Sequence, residues 1–174
     1  MASGIDLLQR YARGERDFRG ANLQDFDFNG MTLSGIQLSE ANLTRAKLGD
    51  KAVLVEAQFV GANLTEADLS GANLHKANLH GANLSFADLR RAYLDSADLT
   101  EANLRGATLQ KTNLHNANLG RADLRSADLH RTNLSEARLV GAYYDETTLF
   151  PTGFNPLRVG MRNLGSLSSP ALED

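Results

Sequence analysis

The chain has 174 residues, a formal net charge of −3 and no cysteine. That length suits one domain, and the missing cysteine excludes disulfides, thiolate metal sites and cysteine catalysis. The mild acidity argues against a strongly basic nucleic-acid binder, and the absence of tryptophan with only 6% aromatics fits an ordinary globular core poorly.

Met1–Asp6 contains no basic stretch followed by an apolar run, so no signal peptide is read there. No apolar run approaches the roughly 18 residues needed to span a bilayer. The expectation is a soluble cytoplasmic protein with no membrane partner. Residues 4–13 are predicted to form a short helix. Ser3 is its expected N-cap, Asp6 falls in its first turn and Gly14 is its expected stop. Ile5, Leu8 and Ala12 share its predicted apolar face, with Leu7 and Tyr11 close by. Such a helix would plug the open end of the domain behind it.

From Phe18 onward the chain keeps a five-residue period. Leu64, Leu69, Leu74, Leu79 and Leu84 belong to a series that runs through Leu139 to Tyr144 and Leu149. Upstream it includes Phe18, Leu23, Phe28, Leu33, Leu38, Leu43 and Leu48. From Leu64 onward a small residue, such as Ala67, Ala72, Thr112 or Thr132, stands two positions before each. Roughly 27 copies leave no room for chance. A period of five makes no stripe on an α-helix and does not alternate as a plain strand does. It fits a chain that turns a corner after every repeat, with the large and the small residue inward. One coil cannot bury its own apolar face, but stacked coils share a core. The frequent Asn and Asp just before Leu can support the corner by bonding local backbone.

Ala-(Asp/Asn)-Leu-X-X over about residues 16–150 resembles the pentapeptide-repeat family. The resemblance implies an all-β fold, a right-handed quadrilateral β-helix with four repeats per coil. At about 4.8 Å per coil the rod would be about 30 Å long. The expected layout is one solenoid over residues 1–161, with a cap at 1–15, repeats at 16–150 and a second cap at 151–161. Residues 162–174 are expected to be a flexible tail.

The period breaks once inside the repeat. Leu48 to Leu54 is six residues, which predicts a bulge at a corner, with Gly49 giving the backbone freedom. Val53, Val55 and Val60 sit at nominally outward positions beside it and form one candidate docking patch. After Leu149, Phe150-Pro151-Thr152-Gly153-Phe154 marks an irregular turn whose aromatics can cover the last coil. The resemblance implies a monomer or a homodimer paired through such an end, which here carries Tyr143, Tyr144, Phe150 and Phe154.

With four repeats per coil, residues twenty apart stack in columns. His75, Asp95 and His115 form one, read as a solvated ladder in preference to a metal site. Arg90, Arg91, Lys111, His130 and Arg131 share a face, and Arg105 and Arg125 lie beside it. Phe86 stands at the margin of this basic edge, the second candidate protein-binding surface. There is no nucleophile elbow, phosphate-binding glycine loop or H-E-x-x-H. The reading is a non-catalytic protein–protein interaction scaffold with a regulatory role, no cofactor and an unidentified protein partner. The family resemblance, which extends to cyanobacterial members, also implies an alternative: a DNA mimic that binds or inhibits DNA gyrase. The outward acids here are scattered and interrupted by Arg and Lys, which ranks that alternative second.

Overall fold

The five backbone amides of one repeat explain the shape of the rod. In the computed structural model, which describes residues 4–49 and 51–165, Ala62–Glu66 is representative. The Ala62 amide closes a tight turn onto the Phe59 carbonyl at 2.9 Å. Asn63 donates down to Ala41 at 2.9 Å, while Leu64 and Glu66 donate up to Asn83 and Ser85 at 2.7 and 3.0 Å. The Thr65 amide has no backbone acceptor, and the Asn63 side-chain oxygen takes it at 3.2 Å. Every donor is thereby satisfied. Where Asn or Asp precedes the Leu it is the corner's fifth acceptor, as Asp68 is for Ser70 and Asn83 for Ser85.

Only three residues are extended between corners, so the walls are ladders of single parallel bridges: Asn63 pairs with Asn42 below and Asn83 above. Bridge partners lie twenty residues apart along most of the rod, which is four repeats per coil. The second corner residue carries a positive φ, such as 58° at Glu66, 60° at Arg91 and 63° at Gly81. That is the third position of a type II turn. The chain thus forms a β-helix, all-β apart from its cap.

Leu and Ala of the repeats fill the interior at 0–1% exposure over most of its length. Two small-residue sites hold threonine instead, and their buried hydroxyls donate to carbonyls of the coil below: Thr112 to Leu89 and Thr132 to Leu109, each at 2.6 Å. This is how a polar group enters an apolar core at little cost.

The helix α1 spans Gly4–Ala12, and Gly14, with φ 97°, ends it. Leu7 and Tyr11, one turn apart, form the contact with the first coil. Leu7 is fully buried and the Tyr11 hydroxyl donates to the Ser34 carbonyl at 2.9 Å. Ala12, expected on the buried face, is exposed and Leu8 is only half-buried. The helix is rotated so that its largest apolar groups cover the core mouth. Arg10 pairs with Glu15 and stands over Phe18, and Arg16 stacks on Tyr11. The expected cap at Ser3 lies outside the described residues.

The bulge falls where the six-residue interval predicts. Thr32 bridges Val53, Gln37 bridges Gln58 and Lys47 bridges Asp68, an offset of twenty-one; from Val53 to Asn73 it is twenty again. Gly49 does not take a left-handed conformation; Lys51 does, with φ 69°. Gly49 is needed for a different reason. A Cβ there would stand 2.9 Å from the Ser70 carbonyl oxygen of the coil above.

A second insertion lies at Asp145–Thr147. Asp128 bridges Leu149 at an offset of twenty-one. Leu149 is consequently an outward wall residue, 45% exposed, and not a core residue as its spacing from Tyr144 predicts. Thr148 and Phe150 take the inward positions, Thr148 bonding the Leu124 carbonyl at 3.1 Å. Phe150 packs against Tyr144 and stacks on Phe154 with centroids 5.2 Å apart, closing the far end. A 3-10 turn at Pro156–Val159 comes next. Strand β1, Tyr143–Tyr144, pairs in parallel with strand β2, Arg162–Asn163. The ladder therefore reaches two residues into the segment expected to be tail.

Candidate functional site: a basic corner of the rod

Each repeat presents three kinds of outward residue: the wall residue before Leu and the two corner residues after it. On one corner the first positions are Ser70, Arg90, Gln110 and His130. The second are Lys51, Gly71, Arg91, Lys111 and Arg131, with φ of 69°, 69°, 60°, 60° and 58°. The flanking wall holds Asp68, Asp88, Thr108 and Asp128.

The two columns differ in their chemistry. Arg90 folds back onto Asp88, Nε lying 2.9 Å from the carboxylate. Burial pushes the Asp88 carboxyl up, but the Arg90 side chain and amide outweigh it and hold the group below its ordinary range. Asp128 behaves likewise. Burial raises it, and the Gln110 amide group at 2.6 Å with the His130 amide and ring brings it below the usual value. Around the adjoining corner Arg125 clamps Asp123 at 2.8 and 2.6 Å, again lowering a carboxyl that burial would raise. These pairs come from the geometry that caps the corner: a wall Asp accepts the first corner residue's amide and meets its side chain as well.

The second column has no such partners. Arg91, Lys111 and Arg131 are exposed, and none forms an ion pair among the described residues. On other corners some cations are neutralised between coils: Arg45 reaches Asp25 at 2.7 Å and Arg121 reaches Glu101 at 3.3 Å. Beneath Arg91 the column is interrupted by Gly71. There a groove of about 470 Å³ opens, lined by Lys51, Asp68, Ser70, Gly71, Arg90, Arg91, Gln110 and Lys111. The wall residue before Gln110 is Thr108, not Asn or Asp, so the Gln110 amide has no hydrogen-bond acceptor among the described residues.

The other expected residues do not gather here. Arg105 and Arg125 belong to the next corner. Arg105 makes no ion pair among the described residues, and its charge reaches Asp123. Phe86, 66% exposed, lies on that corner as well, its ring over Gly106, where a Cβ would fall 2.6 Å from the ring edge. Val53, Val55 and Val60 are all half-buried and divide between two faces. The His75, Asp95, His115 column does not converge either. His75 Nδ1 bonds Asp95, whereas His115 Nδ1 turns away to Ser135 at 3.0 Å. Among the described residues no cluster of His, Asp or Glu is placed to hold a metal, and no helix is long and apolar enough to cross a membrane.

Sequence reasoning missed Lys51, Gly71 and Gln110. The signal was available, since 51, 71, 91, 111 and 131 are evenly spaced by twenty. The bulge obscured it, because the extra residue displaces the columns below Lys51.

No curated protein matches the chain. Among solved structures it is similar to HetL, a pentapeptide repeat protein involved in heterocyst differentiation regulation from the cyanobacterium Nostoc sp. strain PCC 7120. The identity is 32% over 87% of this chain and 77% of that one, with a TM-score of 0.68. It is also similar to Rfr23 from the cyanobacterium Cyanothece 51142, at 28% identity over 84% and 99% of the two chains and a TM-score of 0.32. QnrB1, a plasmid-mediated fluoroquinolone resistance protein, matches at 20% identity over 70% and 79%, with a TM-score of 0.36. The family model of pentapeptide repeats matches residues 17–50, 52–89, 77–116, 87–125 and 109–143. With a repeat whose every residue has the position described above, this chain belongs to the pentapeptide repeat family.

Proposed function

We propose that this chain is a non-catalytic interaction scaffold, wound as a right-handed four-sided rod, that presents charged corners at fixed spacing to a protein partner in a regulatory role. One observation carries the reading. The core is filled by Leu and Ala and most repeat amides are used within the rod, while Arg91, Lys111 and Arg131 stand in one corner column with no ion pair among the described residues. The likeness to HetL, whose described involvement is in regulation, supports the regulatory part. A DNA mimic needs an unbroken negative surface. Here Asp25–Arg45, Asp27–Lys47 and Glu101–Arg121 alternate sign from coil to coil, so the gyrase reading stays second. Quantitative co-purification from source-cell lysate tests the scaffold. A specific, stoichiometric partner is expected; its absence, together with stoichiometric inhibition of DNA supercoiling, would reverse the order of the two readings.

A further inference from the structure

Adjacent coils stack about 4.8 Å apart, so Arg91, Lys111 and Arg131 form three successive like charges, an arrangement that destabilises a sheet when the charges stand directly opposite. Each also occupies a left-handed corner, a conformation unfavourable for any residue with a side chain. Gly71, in the same column, shows that the corner accepts a residue free of both penalties. The fold does not need these cations, and an anion from outside would relieve their repulsion.

The space beside them defines that anion further. Gly71 leaves a gap between Lys51 and Arg91, and a Cβ placed there would touch nothing within 4 Å. Gln110 lines the same groove, and its backbone amide has no acceptor among the described residues. From Lys51 to Arg131 is four coil rises, about 19 Å, which an extended peptide of about six residues covers at about 3.3 Å each. A peptide supplies both groups the groove lacks: carboxylates for the cations and carbonyl oxygens for the amide. A nucleic acid fits less well. Asp68, Asp88 and Asp128 run along the adjoining wall and repel any anion, but an extended peptide directs every second side chain to one side and can aim those carboxylates at the cations, whereas a phosphate chain carries a charge at every unit. A second copy of this chain is also a poor match, since the corner columns stacked beneath Glu101, Glu136 and Glu146 each contain Gly, Ser, Lys or Arg.

We infer that the Lys51–Gly71–Arg91–Lys111–Arg131 corner binds an acidic segment of a partner protein in extended conformation. This rests on the scaffold reading and specifies its partner's chemistry. The test is fluorescence anisotropy at low salt with labelled hexaglutamate, hexaglutamine and a six-phosphate oligothymidylate. Hexaglutamate is expected to bind, more tightly than either control, and to lose about tenfold or more in affinity with Arg91→Glu/Lys111→Glu/Arg131→Glu. Arg45→Glu/Arg121→Glu/Arg138→Glu makes the same charge change elsewhere and is expected to stay within about twofold. Circular dichroism verifies that both variants fold. No hexaglutamate binding, equal loss in both variants, or tighter binding of the oligothymidylate each overturns the inference. A co-purified partner retained by the first variant would sink this corner while sparing the scaffold. Absence of any partner would sink the scaffold while leaving the peptide result to be judged alone.

Discussion

The carboxylate of Asp145 accepts the backbone amide of Ser126, one coil below, at 3.0 Å. The same side chain accepts the Thr147 amide and hydroxyl at 3.0 and 2.8 Å and the Thr148 hydroxyl at 3.1 Å. Burial alone would raise its pKa. These donors outweigh burial and bring it to about 2.

Because the folded pKa is depressed, the group stabilises the fold above its unfolded value near 3.8. That contribution is lost as pH falls through about 2. Asp145→Asn keeps an acceptor but no charge, and is expected to cost about 1 kcal/mol at pH 6 after allowance for solvent screening. Urea midpoints measured from pH 6 to pH 2 are expected to show the gap between variant and parent closing across the acid range. A gap independent of pH would refute the assignment.

The corner amides give a pair of expected outcomes with opposite signs. Asn83→Ala removes the acceptor of the Ser85 amide and is expected to cost about 1–2 kcal/mol. Thr108→Asn would supply the acceptor that the Gln110 amide lacks and is expected to stabilise by about 0.5–1 kcal/mol. Equilibrium denaturation of the two variants checks both signs.

Two glycines are expected to respond differently. Gly49→Ala drives a Cβ against the Ser70 carbonyl, which is backbone and cannot swing aside, at about 1–3 kcal/mol. Gly71→Ala meets open space and incurs only the left-handed backbone penalty of about 1 kcal/mol. Thermal melts of the two variants rank them. A larger loss at Gly71 contradicts the close approach described at the bulge.

The core is uniform enough for a general prediction. Leu94 is fully buried in a middle coil, and Leu94→Ala is expected to cost about 2–5 kcal/mol, read from its urea midpoint. Neighbouring coils share that cost, since solenoid stability is carried by contacts between adjacent repeats.

The rod was legible because two inward positions recur in every repeat, and the interval from Leu48 to Leu54 disclosed the first insertion. The second was hidden. Leu149 lies five residues after Tyr144 and satisfies the period by coincidence. The contrary signal was Thr148 two positions before Phe150, which repeats the threonine-then-large pattern seen inward at Thr112–Leu114 and Thr132–Leu134. The rotation of α1 was not readable either, because Leu7 and Leu8 are equivalent until the mouth they cover is known. At the basic corner, sequence columns grouped Arg90 with Arg91. Only the Asx geometry separates them, by giving Arg90 the Asp88 carboxylate and Arg91 nothing.

The twenty-one-residue offset has one more consequence. A stack of near-identical coils has almost translational symmetry, so a folding chain gains nearly the same ladder after slipping by a whole turn. The coil that begins at Thr32 and Val53 breaks that degeneracy. Its longer perimeter, with Gly49 seated under the Ser70 carbonyl, matches no other pair of coils in the middle of the rod. It serves as an index mark: wherever else the ladder is indifferent, pairing there is right or visibly wrong, and it fixes the phase of every coil on either side.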